Sequence, residues 1–322
     1  MQIATRPVSA SQLAALTTSL RHSTTDPHAG LFGPDSLSWR INRESILFLG
    51  AGRASLLQLA HPWVAAALEH HSSLRTDPLA RFHHTFRIVF TMVFGTLDQA
   101  ISASRYLHRR HGAVRGKLPQ PVAGWPQYSP YQANELNALI WVFATLVDSA
   151  VVAYDAVLEP LQPAESQAYY DECKRLAALF GIPSDALPSD WSGLQAYLQS
   201  TLDSPHIGVD DLARDLADGV LHGRGTWIPV TGWYRALTAQ WLPDPLRVAF
   251  ALPFGPDEQS AATRALDRIR SLYPQLPRPV RFVGPYREAL ARLAGRRPGP
   301  LVRASNRFWI GNSLTMFRPD AP

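Results

Sequence analysis

Residues 77–116 read DPLARFHHTFRIVFTMVFGTLDQAISASRYLHRRHGAVRG, and this stretch sets the fold class. Asp77 followed by Pro78 is an N-cap with proline at the first helical position, where a missing N–H costs nothing. Apolar residues then recur at helical spacing to Phe94, and Gly95 closes the segment. Thr96 or Asp98 caps a second segment, predicted to run to Arg115–Gly116. A turn this short favours an antiparallel helix pair.

Polar side chains sit within these apolar, helix-patterned segments. Arg81, His84 and Thr85 fall at i, i+3 and i+4 and share one face, as do His108, His111 and Arg115 at i, i+3 and i+7. Such groups are costly to bury unless something satisfies them, and a metal centre is one such partner. His84 lies ten residues before Phe94, roughly 15 Å along its helix, and His111 thirteen residues after Asp98, roughly 19–20 Å along its own. The mismatch is about one helical turn, so the two imidazoles can face each other across the hairpin. A flat cofactor with two axial positions suits that space, and haem is one. Among 11 histidines any single one is more often a satisfied or exposed residue than a ligand. A non-haem site using His108 and His111 with carboxylates is an alternative. Neither has a Glu three residues before it, so a carboxylate-bridged di-iron site has less support.

The same periodicity extends along the chain. Ser9 or Ser11 caps a helix to about Ser23, and His28–Ser38 reads as loop. Helical pattern runs from near Asn42 to His61, where Pro62 forces a kink or restart before Trp63–His71. Lys117–Pro130 is a Pro/Gly-rich connection. Long helices follow from Asn134 to about Leu158, Gln162 to Gly181, Ser189 to about Leu202 and Asp210 to His222. Shorter ones are predicted at 231–241, 244–252, 257–273, 284–296 and 300–312. With no alternating strands and no repeat, the predicted fold is all-α: a large multi-helix bundle with a buried cofactor pocket. We read residues 1–322 as a single domain, with a core bundle at about 35–240 and a Pro/Arg-rich helical appendage at about 241–322. The Pro- and Trp-rich segment 224–254 lies where the two meet.

Composition narrows the function classes. Apolar residues make up 46% and charged residues 18% of 322, a globular balance. The single cysteine, Cys173, excludes an internal disulfide, a multi-Cys zinc site and an iron–sulfur cluster held within one chain, and fits a reducing, cytoplasmic setting. Met1–Ala10 has no apolar h-region, so no secretory signal is expected. Ser45–Leu68 is the most apolar run and reads as the only membrane-span candidate. Arg53, Gln58 and His61–Pro62 interrupt it, which makes it one or two core helices. Net charge is +5, and ten arginines against Glu288 alone fill residues 268–307. No nucleic-acid signature accompanies them, and peripheral membrane contact stays open.

Other candidates weigh less. His61 before Pro62 reads either as a polar group lining a pocket at a kink or as a core histidine bonded near the backbone that Pro62 disturbs. Asp148 reads as the partner of an active-site arginine or as half of a buried structural pair. Gly50-Ala51-Gly52-Arg53 lacks the third glycine and the strand context of a dinucleotide turn. There is no Gly-x-Ser-x-Gly elbow and no P-loop.

Several motifs occur together: Arg43-Glu44, Leu49-Gly50-Ala51-Gly52-Arg53-Ala54, Leu56 to Pro62, Val93-Phe94-Gly95, His111 to Gly116, and Trp141-Val142-Phe143-Ala144-Thr145-Leu146-Val147-Asp148-Ser149. In this order, over roughly residues 35–240, the chain resembles the bacterial branch of the rubber oxygenase (latex-clearing) and MpaB oxygenase family. The resemblance implies an all-α fold holding haem b, with dioxygen and an apolar, unsaturated substrate as reactants. It implies His111 as the proximal iron ligand. Arg81-x-x-His84-Thr85 aligns with the family's Arg-x-x-Lys-Thr, so His84 stands where a lysine is the second axial ligand. His84 is then either a ligand or a distal hydrogen-bond donor. Arg81 and Thr85 would orient oxygen or a water, Arg115 would pair with a propionate, and His61 would line the cofactor. The apolar face of residues 134–158 would supply a substrate pocket. Glu69 lies near the place of the family's acid/base, with different spacing. Phe143 replaces a histidine common in the Trp-Val-His-Ala-Thr motif. A non-catalytic haem or apolar-ligand binder is the alternative, and no specific protein partner is implied.

Overall fold

The computed structural model describes residues 6–226 and 230–315. Its elements run α1 Ala10–Ser23, α2 Leu37–Asn42, a 3₁₀ turn Ser45–Gly50, α3 Ala51–Leu59, α4 Pro62–His71, α5 Pro78–Phe94, α6 Leu97–Gly112, β1 Arg115–Lys117, β2 Pro130–Gln132, α7 Leu136–Val157, α8 Pro163–Leu179, α9 Trp191–Leu202, α10 Asp211–His222, α11 Gly232–Trp241, α12 Asp244–Ala249, α13 Pro256–Leu272, α14 Arg278–Arg281, α15 Gly284–Leu293 and α16 Pro300–Ile310. The fold is all-α, with one two-stranded antiparallel pair in which Gly116 faces Tyr131. The caps match their sequence signals. The side chain of Ser9 accepts from Gln12 N, Asp77 from Ala80 N, Asp190 from Gly193 N and Asp210 from Ala213 N.

Five features depart from the expected pattern. Residues 37–38 already belong to α2, and the short α14 was not anticipated. α6 stops at Gly112 instead of running to Arg115–Gly116. Beyond it β1 pairs with β2 in a connection expected to be irregular, and Gly116 packs so closely on the Tyr131 ring that a Cβ would lie 2.6 Å from its hydroxyl. Among the described residues the helix long and apolar enough to cross a membrane is α7, not the 45–68 run, and 72% of its most apolar window is buried inside the protein. It is the core helix, buried on more than one side, and Leu139, Trp141, Phe143, Val147 and Val151 all pack into the largest hydrophobic cluster.

Gly50 and Gly52 let α3 lie close between α7 and α11. A Cβ on Gly50 would meet the Ser149 carbonyl at 2.4 Å, and one on Gly52 would meet Thr238 Oγ1 at the same distance. Arg53 follows them and clamps the layer. It pairs with Asp148 at 2.6 Å and donates to Ser149 Oγ at 2.7 Å and the Trp241 carbonyl at 2.9 Å. Gln195 Nε2 donates to the other Asp148 oxygen at 2.9 Å. Asp148 is therefore half of a buried structural pair that links α3, α7, α9 and α11.

The C-terminal helices complete the same packing. Buried Glu44 accepts from Arg281 Nε at 2.7 Å, Arg281 Nη2 at 2.9 Å and the Tyr273 hydroxyl at 3.0 Å. Phe282, Val283, Tyr286 and Ile310 join Trp39, Phe90 and Phe94 in one cluster. Along α5, Phe82, Phe86, Phe90 and Phe94 recur every fourth residue, and Phe48 inserts among them with Trp309 stacked on it at 4.2 Å.

Candidate functional site

α5 and α6 form the expected antiparallel pair. The Thr96 hydroxyl accepts from Gln99 N at 3.3 Å and the Gln99 side chain accepts from Thr96 N at 2.9 Å, a reciprocal cap that starts α6 immediately after the turn. Near this turn the helices are sealed by Ile88, Met92, Leu97, Ala100, Ile101 and Ala103, with two alanines allowing close approach. The seal stops at Ile88 on α5 and Ser104 on α6. No residue of 78–87 or 105–112 is fully buried. Arg81, His84, Thr85 and His111 all lie in this looser half.

Arg81 Nε donates to Ser72 Oγ at 3.0 Å, and its Nη1 donates to Thr85 Oγ1, whose own hydroxyl turns back to the Arg81 carbonyl at 2.9 Å. Among the described residues Arg81 has no carboxylate partner. Burial lowers its pKa, and the Arg110 cation adds to the effect. Burial also lowers the pKa of His84, followed by Arg81, Arg110 and Arg87; its ring stands edge-on to Tyr106 at 5.7 Å. The His111 pKa is pushed down to about 4, first by burial, then by Arg81 and His108, against a raising hydrogen bond with the Asn134 side chain. Arg81 and Arg110 thus act on both imidazoles. The cluster has two nitrogen bases held neutral among guanidiniums, and no acid contributes to any of these shifts.

Asn134 is the residue that sequence reading missed. Its Nδ2 donates to the His108 carbonyl at 3.0 Å, and its side chain also acts on the His111 ring, raising the pKa against burial. An amide beside an imidazole is the kind of neighbour that can hold a ligating histidine in one orientation. The only sequence hint was an Asn just before the α7 cap, Glu135.

The other candidates lie elsewhere or do other work. His108 Nε2 bonds the Val8 carbonyl at 2.9 Å, so this ring anchors the N-terminal segment. Arg115 is exposed on β1, beyond the end of α6, and the expected common face with His108 and His111 does not form. Glu69 takes Arg75 Nε at 2.5 Å, and Arg75 also pairs with Asp215. His83, next to His84 in sequence, faces the other way: its Nε2 meets the Phe308 carbonyl at 3.0 Å and Gly311 packs on its ring. Among the described residues no group of three or more His, Cys, Asp or Glu side chains is placed to share a metal. The donor set at hand is therefore one imidazole from each of two helices. That set matches a cofactor that brings its own equatorial ligands and carries negative carboxylates, and so fits haem.

His61 is a buried cap. Its Nδ1 accepts from Trp63 N at 3.3 Å at the start of α4, and its ring packs with Trp63 and Trp125. Burial, followed by His206, lowers its pKa from 6.5 to about 4. The unfolded chain binds this proton below about pH 6.5 while the folded chain does not. Stability therefore falls as pH drops from about 6.5 to about 4, and this contribution then levels off. In urea titrations across that window, His61→Asn, which keeps an N-cap acceptor, is expected to show a shallower dependence. An unchanged slope would assign the proton to another group.

Comparison with known proteins bears on the same region. Residues 39–275 match the family model for the ER-bound oxygenase mpaB/B'/rubber oxygenase catalytic domain. Two relatives, the uncharacterized proteins Rv2237 of Mycobacterium tuberculosis and Mb2261 of Mycobacterium bovis, are each 25% identical over 169 residues. The match covers 51% of this chain and 63% of each relative, so it spans under two thirds of their length. No solved structure matches. The family match takes in α3 through α13, including the whole α5–α6 hairpin and its cluster of imidazoles and guanidiniums, and the chain belongs to the mpaB/rubber oxygenase family.

Proposed function

We propose that this chain is a haem b-dependent oxygenase that uses dioxygen on an apolar, unsaturated substrate. The observation that carries this reading is the pair of imidazoles on the α5–α6 hairpin, His84 and His111, whose pKa values are lowered by burial and by the same two guanidiniums, Arg81 and Arg110. Haem would supply binding and activation of dioxygen. His111 would bind iron through a ring nitrogen, with Asn134 as the neighbouring group that acts on its ring. Arg81 and Arg110, in place of Arg115, offer the cations that carboxylates of the cofactor need. The Ser72–Arg81–Thr85 contacts hold a donor array on the His84 side of the hairpin, where polar atoms of the reactants can be oriented. Phe82 and Phe86 are half-buried on the adjoining face of α5 and give an apolar wall. Glu69 stays a weaker candidate, because its carboxylate is engaged by Arg75.

The visible spectrum of protein produced with ample haem tests the proposal. A Soret band is expected, and its absence would overturn it. His84→Ala is expected to change the ferric spectrum from six-coordinate toward five-coordinate or water-ligated. An unchanged spectrum would remove His84 from the iron and leave it as a distal donor. Oxygen uptake with polyisoprenoid or unsaturated fatty-acid substrates then separates an enzyme from a binder.

A further inference from the structure

The α15–α16 hairpin has a surface charge that the composition only hints at. Between Gly284 and Ile310 there are six arginines and one acid, Glu288. Glu288 is 6% exposed, and its carboxylate is consumed inside, accepting from Asn306 Nδ2 at 2.6 Å, Thr315 N at 2.8 Å and Thr315 Oγ1 at 2.8 Å. The outer surface of the hairpin therefore carries cations without acids of its own. Arg296, Arg297, Arg303 and Arg307 are exposed, and none has a carboxylate partner among the described residues.

Apolar side chains project from the same surface. On α16, Val302, Asn306 and Ile310 point inward at i, i+4 and i+8. The outward arc carries Leu301, Ala304 and Phe308 at i, i+3 and i+7, with Arg303 and Arg307 one turn apart beside them. Leu301 is 70% exposed and Phe308 53%. An aqueous surface gains nothing from these two side chains, whereas an interfacial helix uses this combination: apolar groups enter the acyl boundary while guanidiniums bind lipid phosphates. A nucleic acid would satisfy the arginines and leave Leu301 and Phe308 in water.

We infer that the outer face of α16, with the Arg296–Arg297 turn, docks on an anionic lipid surface. The position has a functional consequence. Phe308 O is bonded to His83, and Trp309 stacks on Phe48 within the aromatic ladder of α5. A bilayer on the outer face of α16 would lie one helix away from the helix that carries Arg81 and His84. An apolar substrate dissolved in lipid would then be close to the candidate site. That last step rests on the proposed oxygenase function, but the docking does not.

Sedimentation of the full chain with vesicles tests the docking. Binding is expected to phosphatidylcholine vesicles containing phosphatidylglycerol and not to phosphatidylcholine alone, and to weaken as salt is raised. Arg303→Gln with Arg307→Gln should weaken it about thirtyfold. Leu301→Ser with Phe308→Ser should also weaken it, with far-UV circular dichroism and the visible spectrum unchanged in both variants. Equal or absent binding to the two vesicle types would overturn the inference, as would full binding by both variants. A single-stranded oligonucleotide bound with the same arginine dependence, in the absence of vesicle binding, would reassign the surface to nucleic acid. Vesicle binding without a Soret band would leave the docking standing while the haem reading fails.

Discussion

His111→Ala is expected to yield a folded protein that takes up no haem. The side chain is half-buried beyond the sealed part of the hairpin, so its loss removes little packing, and the helical circular dichroism signal should persist. What is lost is the neutral imidazole that would bind iron. Asn134→Ala, which removes the amide beside this ring together with its bond to the His108 carbonyl, should lower haem affinity about 10–100-fold and leave residual binding. Titration of the apoprotein with haem, followed at the Soret maximum, ranks the two variants. A His111→Ala protein with undiminished Soret intensity would move the ligand elsewhere, with His84 the next imidazole to test.

The second large effect is on stability. Arg53→Ala should cost about 3–5 kcal/mol, because Asp148 would stay buried with only Gln195 to support its charge. The Ser149 hydroxyl and the Trp241 carbonyl would lose their donor in the same change. Urea unfolding measures the loss directly. Replacing both members with apolar residues of similar size, Arg53→Met with Asp148→Leu, should recover much of it, since no unpaired charge remains. A single variant as stable as the parent would mean that water reaches Asp148 in the folded state.

The helices were legible because their signals are local. Asp77-Pro78, Thr96 with Gln99, and Asp190 each carry the cap and the first turn within four residues, and the structure uses them as written. The end of α6 was not legible, because Gly112 yields to a strand whose partner, Pro130–Gln132, lies well downstream. The roles of the histidines divide the same way. Spacing placed His84 and His111 on facing helices, but only tertiary contacts separate His84 from His83, or show that His108 serves Val8 and His61 caps α4. Asn134 could not be found from sequence, since its role depends on the return of the chain to α6 after a strand pair. Gly50 and Gly52 resemble a nucleotide-binding turn in letters, and their actual use, letting α3 press against α7 and α11, is visible only in three dimensions.

The anchoring of the C-terminal helices has a practical consequence for anyone trimming this protein. The family match ends at residue 275, which invites a shortened version stopping there. Such a version would lose Arg281 from Glu44, strip Val283 and Tyr286 from Trp39 and Phe94, and take Trp309 off Phe48. It would leave Glu44 without its Arg281 partner and present to solvent a bare row of aromatic rings, and it should aggregate, whereas a cut placed after Thr315 would leave those contacts in place.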